Sequence, residues 1–590
     1  MQSFPRWARF LLAFVVVASS SALAGAPAEV TAQQGPRPVG SGAAFLPADT
    51  AFYLGLDLNP QAEYNRLLDR LSAIYTGAPE ADATARGVSD VLGIDLKVAS
   101  LLAELRPILG GEIFLAIPDK ASLARLTEDT PNPITRPRRR GSRGDSEVPD
   151  LLVGAEIRNQ AALAEYLGRV RKDVEAAGAT VETERADGAD LVTVSAKSGE
   201  GRIYLAINRG YILLSTARPM LLEATRRTPA ESLAAAEDFV AARTRLQASR
   251  PAMALLFMEV PEEALRQQGG PVAQTIPTRW IGATLDLAPD QILVRMAGGM
   301  DTSTVSPAQR ALLTRPPLAL NSARAVPANT TFFVASGGLK QLWDVMAETI
   351  WPDPESYQQM RNSVVRETGL DPQDDIFGWM TGEFAFFLSP PSDDKRSSIE
   401  NAGFGLLVEA QDQSLVRAKL DKIISAIRKA SGPNRGNEQL EAAGNTFERI
   451  ELDRDTPLLI GMADRWATFT INDHAAAGVS NAVRGRGSLA QDPEFIRIRQ
   501  VLADPVNFLG YANVPEIVRI TTGEVSATGR ASAPTPGQNI PLAGAGLASY
   551  TTLDQFNGAF VAHLVLPGQA PTTPGTRPSP AQVPAQVPRR

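Results

Sequence analysis

Two histidines and one recurring carboxylate are the side chains best suited to chemistry in this sequence. His474 follows Asp473 in TINDHAAAG, where a strand is expected to run into a loop, and His563 sits in GAFVAHLVL, an alternating strand. Either could act as the general base of a Ser-His-Asp triad. That chemistry needs a nucleophile on a tight elbow of the G-x-S-x-G kind, and neither histidine has one beside it. Both are therefore assigned surface or packing roles. Glu112 in GGEIFLAI and Glu383 in TGEFAFFL hold the same place in two similar segments. General-acid work on a glycosidic bond would require a second carboxylate close by. The simpler reading of each is a turn before a strand.

Other motifs lead no further. Asp371 to Asp375, DPQDD, clusters three carboxylates but lacks the alternating ligands, glycine and terminal glutamate of a helix-loop-helix calcium site. Capping of the following helix by Asp371 or Asp374 explains them more simply. Arg143 to Ser146 spells RGDS, an adhesion tetrapeptide that arginine-rich loops also produce by chance. The neighbouring Arg138, Arg139 and Arg140 read as a solvated loop rather than a polymer- or lipid-binding patch. There is no cysteine, which excludes disulfides and thiolate metal sites. No phosphate loop or dinucleotide fingerprint occurs. No catalytic, cofactor-binding or metal-binding residue is assigned, no cofactor is implied, and the chain reads as non-enzymatic.

What positions these residues is a long chain of ordinary composition. Its 590 residues exceed one core, and 44% apolar with 21% charged content suits a globular protein. A net charge of −7 disfavours nucleic acid as a partner. Arg6 and Arg9 precede the short apolar run Phe10 to Ala18, and Ala22 to Ala24 offers a cleavage site. This is the pattern of a signal peptide over residues 1–24, and it makes the mature chain extracytoplasmic. An uncleaved anchor is the alternative, but the apolar run is shorter than the roughly 20 residues a span requires.

The sequence repeats itself. FLPADTAFYLGLDL returns as AVPANTTFFVASGGL, GGEIFLAIP as TGEFAFFLSP, LLVGAEIRNQ as FGLLVEAQDQ, and five further pairs keep the same order. Collinearity on this scale implies a duplicated domain. Copy one spans 43–300, with an extra exposed loop at 126–150, and copy two spans 323–566. A flexible linker at 25–42, a second linker at 301–322 and a disordered Pro-rich tail at 567–590 complete the chain.

Within each copy the signals are local. Phe52, Leu54, Leu56 and Leu58 alternate as a half-buried strand does. Leu163, Leu167, Val170 and Val174 line one side of a helix capped by Asn159 and stopped near Gly178, and Asp412 caps its counterpart. Asn208-Arg209-Gly210 marks a hairpin. Hairpins without regular helical crossovers predict an α+β class, with a mainly antiparallel sheet and packed helices in each copy.

LPADTAFYLGLDL, a Gly-Ile-Asp-Leu step, GGEIFLAI and PDLLVGAEI, following a signal peptide, together resemble the uncharacterised bacterial family named domain of unknown function 3352. The resemblance covers most of both copies and implies an extracytoplasmic setting, with no activity or functional residues to carry over. Copy two departs from it, with Asn329 in place of Asp49 and Ala-Ser-Gly-Gly in place of Gly-Leu-Asp-Leu. The expected function is an exported cell-envelope binding or scaffold module. The rivals are a carrier of a lipid or other apolar ligand and, third, a hydrolase using His474 or His563. The carrier reading rests on strands apolar on both faces. Ile113, Leu115 and Ile117 oppose Phe114 and Ala116, and Phe384, Phe386 and Leu388 oppose Ala385 and Phe387. A sheet with one helix layer leaves the second face to be covered. If it lines a ligand pocket, several hundred Å3 is the expected volume.

Overall fold

The computed structural model describes residues 39–57, 59, 108–120, 122–123, 150–176, 178–186, 189–195, 202–246, 252–260, 278–288, 290–391, 401–431, 438–451, 457–502, 504–522 and 542–565. The signal segment, Leu58, the arginine run, the RGDS tetrapeptide, nearly all of the 126–150 loop and the 567–590 tail lie outside them.

Ten strands fall in the first half of the described residues. They are β1 (Phe52–Asp57), β2 (Leu109–Ile117), β3 (Leu152–Ile157), β4 (Thr180–Ala186), β5 (Ala189–Ser195), β6 (Arg202–Asn208), β7 (Tyr211–Ser215), β8 (Ala254–Glu259), β9 (Thr278–Ala288) and β10 (Gln291–Met300). Ten more follow: β11 (Phe332–Gly337), β12 (Glu383–Ser389), β13 (Gly403–Glu409), β14 (Glu438–Ala442), β15 (Asn445–Glu451), β16 (Pro457–Ala463), β17 (Trp466–Ile471), β18 (Phe508–Asn513), β19 (Leu542–Thr551) and β20 (Gln555–Leu564). All described pairings are antiparallel, as hairpin-rich sequence leads one to expect.

Pairing runs β4-β5-β6-β7-β3-β2-β1-β8-β9-β10 through the first half. The second half runs β14-β15-β16-β17-β13-β12-β11-β18-β19-β20, the same order. β10 and β20 join the halves edge to edge. Gln291 opposes His563 and Gly299 opposes Gln555, so this ladder reads the same from either side, with Arg295 facing Ala559 at its centre. The outer edges, β4 and β14, carry Glu182, Glu184, Arg185, Glu438 and Glu441, charges that discourage further pairing.

Among the described residues the helices longer than one turn are α1 (Gln160–Ala176), α2 (Arg218–Arg226), α3 (Glu237–Leu246), α4 (Pro307–Leu313), α5 (Leu339–Ile350), α6 (Pro354–Thr368), α7 (Gln413–Ser431), α8 (Asp473–Ala482), α9 (Pro493–Val501) and α10 (Val514–Thr522). The architecture is α+β. One sheet face packs against α2 and α3, burying Tyr53, Phe114, Phe257 and Trp280 with Leu221 and Phe239. On the same face, Phe333, Phe387 and Tyr511 meet Val479 of α8 and Phe495 and Ile498 of α9. Each such side chain contributes about 1.5–3 kcal/mol on burial. At its two ends the opposite face is covered by α1, through Leu163 and Leu167, and by α7, through Val416 and Leu420.

Local signals place these elements. Asn159 caps α1 by accepting from Ala162 N–H (3.0 Å), and Gly178 takes the left-handed conformation just beyond its end. Asp412 caps α7 through Ser414 N–H (2.9 Å). Arg209 and Gly210, both at positive φ, turn β6 into β7. Three expectations about the placement of elements need correction. The end of the 25–42 linker is fixed, since Ser41–Phe45 forms a 3-10 turn with Gly42 buried. The 301–322 stretch is not a plain linker, since α4 lies within it, started by a capping box of Ser306 and Gln309 and anchored by buried Leu313. His474 does not enter a loop: it is the second residue of α8, because Asn472 at φ 78° turns β17 directly into that helix.

Candidate functional site

Glu112 and Glu383 are buried, and neither is a turn residue. Glu112 lies within β2, and its carboxylate accepts from Gly40 N–H (2.6 Å), Gly42 N–H (2.7 Å) and the Tyr53 hydroxyl. Glu383 opens β12 and accepts from Ser322 N–H (2.8 Å), Asn321 N–H (3.2 Å) and the Ser322 hydroxyl. Both therefore fasten the segment that leads into the first strand of their half. Gly40 (φ 101°) and Leu320 (φ 55°) bend the chain so that these N–H groups face the carboxylate. A Cβ on Gly42 would fall on the Phe114 ring.

Burial pushes the Glu112 carboxyl up to about 7, against hydrogen bonds from Tyr53, Gly40 and Gly42 that favour its charged form, and the charge of Glu156 adds to the rise. Tyr53 is pushed up in turn by burial and by Glu112. No Lys or Arg among the described residues forms an ion pair with Glu112. The second carboxylate that acid chemistry asks for is Glu156 on β3, and Glu409 on β13 is its counterpart, accepting from Glu383 N–H at 3.4 Å. Yet Glu112 has no exposed surface, and both its oxygens are taken by donors from its own chain. What this arrangement does is hold a segment in place.

Asp371 caps the short turn Pro372–Phe377, accepting from Gln373 and Asp374 N–H, as its sequence context suggests. Asp375, which carries no local signal, is 5% exposed and pairs with Lys419 (2.9 Å) and Lys422 of α7. Burial opposes its ionisation, but the Asp371 N–H and the two lysines outweigh it and hold the carboxyl well below the usual range. His563 Nδ1 lies 2.8 Å from Glu494 Oε1, and its Nε2 lies 2.8 Å from Arg497 Nη1. The i,i+3 spacing of Glu494 and Arg497 on α9 is the sequence signal that marks this triplet. His474 stands beside Gly403, and across it Ser389 donates its hydroxyl to the Gly403 carbonyl (3.3 Å).

The largest feature is the centre of the second sheet face. From Ile113 a row of neighbours crosses Leu56, Ala254 and Leu285 to Val294. It continues over the joining ladder through Phe560, Leu547, Gly510 and Val334 to Phe386. Leu547, Phe332 and Phe386 on this face are 36–40% exposed. The strands carry no charged side chain on it between β2 and β12. Two cavities of about 210 and 160 Å3 lie elsewhere. One is lined by Phe45, Leu152, Met220 and Arg227, the other by Asp238, Phe257, Glu259 and Arg279. Both are smaller than the volume the carrier reading calls for. Leu547, Phe332 and Phe386 are thus open to solvent, and the apolar face is not the wall of either cavity.

A family model described as a protein of unknown function, DUF3352, matches residues 8–441. No curated protein matches the chain. Among solved structures, crystal form III of TP0453 aligns at 9% identity over 48% of this chain and 86% of that one, with a TM-score of 0.24. Crystal form IV gives 8%, 46%, 83% and 0.23. At these scores the likeness carries no argument.

Proposed function

The chain belongs to the DUF3352 family of proteins of unknown function, and from that premise we propose an exported, non-enzymatic binding module of the bacterial cell envelope. It is built from two tandem copies of one α+β unit. Export is supported by the basic, then apolar, then small-residue N-terminus. Duplication is supported by the identical strand order of the halves and by a compensated swap in their cores. Phe114 faces Gly154 and Ala116 faces Leu152 in one half, while Ala385 faces Leu407 and Phe387 faces Gly405 in the other. Each half keeps one large–small pair of each kind, so the packed volume is preserved.

The binding role rests on one observation, the uncharged apolar face shared across β10 and β20. An apolar patch of this extent on a soluble protein marks an interaction surface. The same rows favour a second reading, a carrier of lipid acyl chains, since they offer hydrocarbon contact and little else. A photo-crosslinking residue at Leu547, with Val240 on the helical side as control, tests both in the producing cell. A protein adduct at Leu547 supports the module, and a lipid adduct supports the carrier. No adduct at Leu547, Phe332 or Phe386 would overturn both.

A further inference from the structure

We propose that the 210 Å3 cavity between α2 and the adjoining ends of β2 and β3 binds a free apolar α-amino acid of about leucine's size, with Arg227 taking its carboxylate. Phe45, Leu152 and Met220 give the cavity an apolar wall, and its charged lining is Asp150, Glu223 and Arg227. An apolar cavity of about 150 Å3 takes up benzene, so this one has room for roughly eight non-hydrogen atoms. The Arg227 side chain is 17% exposed, and its Nε is buried without a hydrogen-bond partner. Its Nη2, on the same edge of the guanidinium, reaches Glu223 at a long 3.4 Å, and Glu223 is 66% exposed. A buried donor left unpaired is costly, and a carboxylate on that edge satisfies it through two parallel hydrogen bonds. Glu223 swings aside at little cost, because an exposed ion pair is weak. Asp150 is exposed too, so two carboxylates stand at the mouth. They repel a simple carboxylate and attract an ammonium. An α-amino acid carries both groups on one carbon and leaves its side chain to meet the apolar wall.

The second half fills the matching place. The bridges Pro47–Ser232 and Pro327–Ser488 set the two halves in register. Counted back from those serines, Arg227 answers to Val483 and Glu223 to Val479, and Val479 is fully buried. Ala116 opposite Leu152 answers to Phe387 opposite Gly405. Gly403 stands where Asp150 does, and a Cβ added to it would come within 2.9 Å of Ser389, His474 and Ala475. One half thus carries packed apolar core where the other carries an ion pair and open space. The fold closes without the pair, and a cavity lowers stability, so folding alone gives no reason for either. The cavity lies on the helical side of the sheet, so its failure as a site would leave the binding role of the apolar face untouched.

The test is calorimetric titration of the full chain with L-leucine, with 4-methylpentanoate, which lacks the ammonium, and with 3-methylbutylamine, which lacks the carboxylate. Leucine is expected to bind, and each single-charge analogue to bind about tenfold more weakly or not at all. Arg227→Met should weaken leucine by about tenfold or more, while Val483→Met, at the matching place, should leave its affinity unchanged. Failure of leucine, valine, methionine and phenylalanine to bind at millimolar concentration overturns the proposal. So does an analogue that binds as well as leucine, or leucine binding retained in Arg227→Met. If Arg227→Met fails to fold, the ranking of the three ligands on the wild type still decides.

Discussion

Replacing Glu112 by glutamine tests whether burial or hydrogen bonding dominates at this carboxylate. Three donors favour the charged form, while complete burial without a cation disfavours it, and burial wins by moving the carboxyl from 4.5 to about 7. At about 1.36 kcal/mol per unit, this amounts to about 3 kcal/mol. The native state then holds the proton more tightly than the unfolded chain. The stabilisation is complete below the unfolded value of 4.5, declines as pH rises, and is lost once pH passes about 7. Glutamine cannot titrate. Its amide N–H2 meets a donor, at Gly42 or at Gly40 and Tyr53, for an expected cost of about 1–3 kcal/mol at every pH.

The assay is urea unfolding of wild type and Glu112→Gln, followed by tryptophan fluorescence at steps from about pH 4 to about pH 8. Subtracting the two curves removes every other titrating group that the variant leaves unchanged. The difference should favour wild type most in acid and shrink by about 3 kcal/mol toward neutrality. A difference that stays flat, or that grows with pH, would refute the reasoning, because the three hydrogen bonds would then outweigh burial.

Three further substitutions probe the faces and the charges. Leu547→Lys on the open face should change stability by no more than about 0.5 kcal/mol, whereas Phe387→Ala on the covered face should cost about 3–5 kcal/mol. Equal costs in urea unfolding would mean that the second face is packed. Asp375→Asn should destabilise by about 1–3 kcal/mol near neutrality, below the full cost of breaking a buried pair because Lys422 is half exposed. Since its carboxyl is held low, that loss should fade as pH falls below about 3.8, and a deficit that persists in strong acid would count against the pairing.

Features written in neighbouring residues were legible in the sequence. EIFLAI and EFAFFL announce two apolar faces by parity alone, and Asn159, Asp412 and the Asn208–Gly210 turn act within four residues of themselves. Glu112 was not legible as an anchor, because Gly40, Gly42 and Tyr53 lie 59–72 residues away along the chain. Asp375 meets Lys419 and Lys422 only once α7 has docked. The α4 capping box, Ser306 with Gln309, is local but sits in a proline-rich stretch that reads as a connector. The open face lies between these cases. Its composition was visible, but its width depends on β10 meeting β20, which no short-range pattern encodes.

That meeting also explains why the proposed duplication closes on itself. An unpaired β10, ten residues long with glycines near one end, would be an edge open to other chains. Pairing with β20 covers both edges, and among the described strands only β4 and β14 remain outermost, both carrying glutamates. The centre of the ladder adds a preference for the partner. Arg295, fifth in β10, faces Ala559, fifth in β20, and is held by Asp286 on β9. If β10 paired with a second β10 in the same register, two arginines would face each other, and like charges directly opposite destabilise a sheet. Arginine on one side and alanine on the other thus favour joining unlike halves of one chain, and that union makes the two apolar faces one.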